Sequence, residues 1–202
     1  MKYQQINDKT IVGYYDLKAI YPNTILAKNG TQIIENHHSV ATTAKPAYDV
    51  YTQKVEEIAP VNYVQTWNVV DLTQLEIDAV DAANRVAYED NMNSVMLQAQ
   101  MEALGDPAIH RYTQGMTRYS SIIAIVATGG TPTQEESDFA QGAEYGLSYQ
   151  EVNALNYSNT VVAISALSGQ AILDYPMPSF TMSAAAQTGY QPYLDYLDKG
   201  FI

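Results

Sequence analysis

The pattern of apolar and polar positions changes character near residue 72. Before it, apolar residues come in short β-branched runs or alternate with polar ones. Thr24–Ala27 and Thr31–Ile34 flank Lys28-Asn29-Gly30. An Asn-Gly pair between two such runs predicts a hairpin, because a type I′ turn needs positive φ at both central positions. Asn7-Asp8, between Tyr3–Ile6 and Thr10–Tyr15, is a weaker version of the same pattern. Two further strands are expected at Tyr48–Val55 and Tyr63–Val70, connected through Pro60 and Asn62. In the second, Tyr63, Gln65, Trp67 and Val69 share one face, and Val64, Thr66, Asn68 and Val70 the other. Neither face is cleanly polar, which fits partial cover on both. Residues 1–72 thus predict a small antiparallel β-domain with Trp67 as its core anchor.

At Asp71-Leu72-Thr73 the period becomes helical. Thr73 with Glu76 forms a capping box, and no Gly or Pro follows until Gly105. A helix over 74–104 is about 46 Å long at 1.5 Å rise per residue. One seven-residue register runs Ile77, Val80, Asn84, Ala87, Asn91, Ser94, Gln98, Met101. Polar amides at its a-type positions are a device by which coiled coils fix register and oligomer state. The competing expectation is that the helix packs on its own domain through Val86, Met92, Val95, Met96, Ala99 and Leu104.

Gly105-Asp106-Pro107 ends this helix and starts another, with Asp106 as cap and Pro107 at its first position. Ile109, Tyr112, Met116, Tyr119, Ile123 and Val126 recur at helical spacing until Gly129-Gly130. Thr133 with Glu136 caps a third helix, expected to end near Gly146. Ser148 with Glu151 caps a fourth, with Gly169 just past its end. The tail from Gln170 reads as looser, with Pro176 and Pro178 bracketing a Met in an extended segment and a last short helix at Tyr193–Lys199. The fold class is therefore α+β: a β-rich region 1–72, a long connecting helix 73–104, and a mainly helical region 105–202.

Composition narrows the function. With 202 residues the chain can bury a sizeable core. A net charge of −12 with only 10 Lys+Arg argues against nucleic-acid binding, which needs clustered cations. There is no cysteine for disulfides or thiolate metal sites. Met1–Asp8 carries no apolar core, so no signal peptide is expected. Ile122–Ala127 is too short to span a bilayer. The 17 tyrosines stand against 3 phenylalanines. Tyrosine pairs an apolar body with a polar tip and suits half-buried surfaces, so contact with other proteins is the expectation. Tyr14, Tyr15, Tyr48, Tyr51 and Tyr63 fall in the β-region, and Tyr190, Tyr193 and Tyr196 cluster near the C-terminus. Sugar stacking on such tyrosines is the alternative use.

The residues that chemistry needs are thinly spread. His37 and His38 are adjacent on a strand and point to opposite faces, a poor arrangement for one metal. His110 stands alone. Leu167–Gln170 lacks the nucleophile-elbow pattern, and Ala127–Pro132 lacks the lysine of a phosphate loop. Asp71, Glu76, Asp78 and Asp81 surround the start of the long helix, where acidic groups complement the helix dipole. Asp90–Asn93 lies in mid-helix and does not form a calcium loop. No enzyme, cofactor or metal is expected.

Tyr48-Asp49-x-x-Thr52-Gln53-Lys54, Pro60, Tyr63-Val64-Gln65-Thr66-Trp67-x-Val69-x-x-Leu72-Thr73-x-x-Glu76-Ile77-x-Ala79 resembles a segment of small tail-fibre and baseplate-associated structural proteins of tailed bacteriophages. The resemblance covers about residues 45–90 and is a strand-to-helix junction without catalytic residues. It implies a structural component of a phage tail, a fibre, baseplate or adaptor subunit, made in the host cytoplasm and located in the virion. The implied partners are other tail or virion proteins and further copies of the chain, a trimer among the forms, with no nucleic acid and no membrane. The expected interaction residues are Trp67, Ile77, Val80, Asn84, Ala87, Asn91, Tyr190, Tyr193 and Tyr196. The alternatives are a tail-fibre assembly chaperone, and a receptor-binding or capsid-decorating protein that contacts glycans.

Overall fold

The computed structural model describes residues 2–23, 33–34, 37–105 and 110–200. It has the expected α+β character, with small antiparallel sheets followed by long helices, and divides into two compact units, 1–80 and 81–202. The Asn29-Gly30 turn and the helix start at Asp106-Pro107 lie outside the described residues.

The first unit contains a four-stranded antiparallel sheet in the order β2-β1-β4-β3, from β1 (Lys2–Gln5), β2 (Ile11–Gly13), β3 (Ile33–Ile34) and β4 (His37–Ser39). The run expected as a strand over Thr10–Tyr15 instead turns after Gly13 into α1 (Tyr14–Ile20). Helix α1 turns Leu17 onto the sheet, and Leu17 with Tyr3 forms this unit's buried cluster, flanked by Val12, Tyr14 and Tyr21.

A separate hairpin joins β5 (Gln53–Val61) to β6 (Val64–Asp71). Strand β5 starts later than expected because residues 49–52 form a turn, in which Asp49 accepts from Tyr51 N–H at 2.9 Å and from the Thr52 hydroxyl at 2.9 Å. The connection is tight: Asn62 and Tyr63 both take positive φ, 50° and 61°, the conformation of a type I′ turn. Left-handed backbone is unfavourable for Tyr63, and its ring stacks on His38 at 4.0 Å.

Trp67 is not the core anchor of this unit. It is half-buried, its indole N–H donates to the Thr43 hydroxyl at 3.1 Å, and the Lys45 ammonium stands 5.4 Å from its ring. The reason is local. Strand β6 belongs to a two-stranded ribbon, and on its other side the chain around Ala41–Lys45 bridges at Ala41–Val64.

Helix α2 (Gln74–Leu104) has the expected bounds and capping box: Thr73 N–H donates to Glu76 at 2.8 Å, and Glu76 N–H donates back to the Thr73 hydroxyl at 3.4 Å. The second unit adds α3 (His110–Ala127), α4 (Gln134–Ser165), α5 (Gln170–Leu173) and α6 (Ala184–Asp198). Helix α3 ends in a Schellman motif, with Gly129 at φ 80° and Gly130 N–H donating to Ile125 C=O at 2.9 Å. The third and fourth expected helices are one helix, α4, running through Gly146 and Ser148. Thr133 and Glu136 cap it as expected, whereas Ser148 and Glu151 sit inside it. Tertiary packing explains the continuity. Gly142 and Gly146 let α6 approach so closely that a Cβ would lie 2.8 Å from Tyr193 N and 2.8 Å from Tyr190 Cε2. The last helix begins at Ala184, capped by Ser183, and carries Pro192 internally.

Candidate functional site

Tyr190, Tyr193 and Tyr196 lie inside the second unit. Tyr193 is fully buried, its ring 4.9 Å from Phe139 and 5.0 Å from Tyr190, and Phe139 also meets Tyr196 at 4.4 Å. The phenol tips find partners there. Tyr190 donates to Leu104 C=O at 3.2 Å, Tyr88 to Pro176 C=O at 3.1 Å, and Tyr149 to Phe180 C=O. Arg118 donates to the Tyr196 oxygen at 3.4 Å and also pairs with Glu136. Tyrosine can be a core residue wherever a backbone carbonyl that a helix or loop leaves over lies within reach of the ring's far end. These three tyrosines are therefore core residues of the unit and supply no outer surface.

Helix α2 carries the remaining predicted residues, and its two sides differ. The inner stripe is Asp81, Tyr88 and Met92, all buried, continued by Met96 and Ala99. Near its start it clasps the end of α4. Asp81 accepts from Gly169 N–H at 2.6 Å, Asn84 donates to Gly169 C=O at 3.3 Å, and Arg85 donates to Leu167 C=O at 2.8 Å. A helix end leaves carbonyls unpaired and partially negative, so a guanidinium there answers both needs. Asn84, expected at an interhelical a-position, is thus engaged within its own unit.

The register beyond it is open. Ala87, Asn91, Ser94, Gln98 and Met101 are all exposed. They lie roughly 130° around the axis from the inner stripe at about 100° per residue. Beside them Val86 and Leu97 are also exposed, Leu97 by 51% and Met101 by 43%. Ser94, Leu97, Gln98, Met101 and Glu102 line a shallow depression of about 490 Å³ on this side. Of the competing set, Met92 and Leu104 are buried and Met96 and Ala99 half-buried, while Val86 and Val95 face out. Ile77 and Val80 are half-buried in the first unit. Leu97 escaped the sequence register because it falls at none of its positions, although it stands three and four residues from Ser94 and Met101.

Among the described residues the histidines and carboxylates do not converge. His37 is buried with its ring edge toward Tyr21, while His38 stacks on Tyr63 and its Nδ1 lies 2.8 Å from Ser39 C=O. Asp71 bonds Gln53, Asp78 bonds Gln74, and Glu76 pairs with Lys54 at 2.7 Å. The Lys54 contact, with the Thr73 cap, holds the Glu76 carboxyl down at about 2. Among the described residues no three His, Cys, Asp or Glu stand close enough to hold a metal ion, and no helix is long and apolar enough to cross a membrane. Compared with protein-family models, with curated proteins and with solved structures, the chain matches none.

Proposed function

We propose that the chain is a structural component of a bacteriophage tail, a fibre, baseplate or adaptor subunit, acting through protein–protein contacts and self-association. The observation that carries this reading is the uncovered side of α2. Five successive positions of one heptad register, Ala87 to Met101, are exposed, with Leu97 beside them. A second copy of α2 suits this side. Asn91 and Gln98 each hold a donor and an acceptor in one amide, so each can pair with its own counterpart across parallel helices. Leu97 and Met101 supply apolar area that such pairing would take out of water. The junction at residues 45–90, with its resemblance to phage tail proteins, supports the particle location.

Mass spectrometry of the purified particle tests the location. A tail subunit appears in the finished virion at a ratio typical of tail proteins. Presence in infected cells but absence from the particle would replace this reading with that of an assembly chaperone.

A further inference from the structure

The amides of the α2 register differ in what they already hold. Asn84 donates to Gly169 C=O at 3.3 Å, and Gln98 donates to Glu102 at 3.0 Å, one turn further along its own helix. The Ser94 hydroxyl donates to Asp90 C=O at 2.9 Å. The Asn91 amide faces solvent and makes no hydrogen bond among the described residues. It would therefore give up no protein partner on meeting another amide across a helix pair.

The order of residues along the exposed stretch selects the direction of the second helix. In a parallel pair each heptad position meets its own counterpart, so Asn91 meets Asn91 and Met101 meets Met101. In an antiparallel pair a-positions meet d-positions. Between Ala87 and Met101 the a-positions are Asn91 and Gln98, and the d-positions are Ala87, Ser94 and Met101. No antiparallel alignment of this stretch gives Met101 an apolar partner or Asn91 a second asparagine. The charged neighbours agree. In the parallel pair Asp90 lies across from Val95 and Glu102 across from Leu97, so no two carboxylates are opposed. We propose that Asn91 fixes the direction and register of the paired α2 helices, which lie parallel with the Asn91 amides bonded to each other. This rests on the self-association proposed above and adds the residue that aligns it.

The chain has no cysteine, so single cysteines introduced into it report which positions face each other. Ala87→Cys and Ser94→Cys, both at exposed d-positions, are oxidised in the full chain, and non-reducing electrophoresis reads the linked fraction. A disulfide needs Cα atoms within about 7 Å. A parallel pair in register links both variants, whereas the two-fold axis of an antiparallel pair can pass through only one of the two positions. Both should therefore link when Asn91 is present. Adding Asn91→Leu, at an exposed position, should lower linking at both several-fold, because the seam has lost its aligning group. The same change adds apolar area, so the oligomer should persist to about tenfold lower concentration. Linking at one position or neither in a chain that elutes as an oligomer, or linking unchanged by Asn91→Leu, would overturn the role of Asn91 and leave self-association standing. A chain that neither links nor elutes as an oligomer would overturn both.

Discussion

Replacing Gly142 by alanine sets two effects of known size against each other. In an exposed helix the change would stabilise by about 1 kcal/mol through helix propensity. Here the added Cβ would lie 2.8 Å from Tyr193 N and 3.0 Å from Tyr193 Cβ, where ordinary contact begins at 3.4 Å. The nearest obstacle is backbone of α6, which has no rotamer to change, so the helix itself has to move off by about 0.6 Å. Such a movement disturbs Tyr193, which is stacked against both Phe139 and Tyr190. Overpacking of this kind costs about 1–3 kcal/mol or more. The contact offsets or outweighs propensity, and Gly142→Ala should destabilise by up to about 2 kcal/mol, or up to about 8 °C in midpoint. Gly189→Ala should cost less, because the atoms it meets belong to the Tyr145 ring, which can turn aside. Urea and thermal unfolding followed by circular dichroism measure both. A Gly142→Ala protein more stable than the parent would refute the close approach of α4 and α6.

Other outcomes follow from the same contacts. Arg85→Met, which removes donors to Leu167 and Ile164 carbonyls at the end of α4, should lower unfolding free energy by about 1–2 kcal/mol; an unchanged urea midpoint would count against the clasp. Tyr63→Ala keeps the left-handed turn and loses the ring stacked on His38, a cost of about 0.5–1.5 kcal/mol, whereas Tyr63→Gly relieves the turn and should melt above the alanine variant. Glu76 has its carboxyl lowered from 4.5 to about 2, first by Lys54 and then by Thr73. Its contribution is therefore complete above pH 4.5 and is lost as pH falls through about 2. Glu76→Gln should flatten that part of the acid-unfolding profile, and an identical profile in the variant would contradict the assignment.

Local signals were legible in the sequence wherever they were satisfied locally. The Thr73–Glu76 and Thr133–Glu136 capping boxes and the glycine pair after α3 set their helix ends as expected. The misreadings arose where distant residues decide. Ser148 and Glu151 carry a capping pattern, yet α4 passes through them because α6 packs along Gly142 and Gly146. The Gly142-x-x-x-Gly146 spacing was the available sign of that approach. The β-branched run Ile11-Val12 gave no warning that Gly13 would start a helix. Tyr190, Tyr193 and Tyr196 pointed to a surface only while the carbonyls that receive their hydroxyls were unknown. Asn84 was visible as a polar position in a heptad, but its partner, Gly169, is 85 residues away.

Self-association through the outer side of α2 is most directly tested by size-exclusion chromatography with light scattering on the full chain at tens of micromolar. The wild type should elute as an oligomer. Asp90 and Glu102 flank the contact, so added salt should strengthen it by screening like charges. Leu97→Glu with Met101→Glu, both at exposed positions, should give a monomer with unchanged helical circular dichroism. A wild-type chain that is monomeric at that concentration, or a double variant that remains oligomeric, would contradict the account.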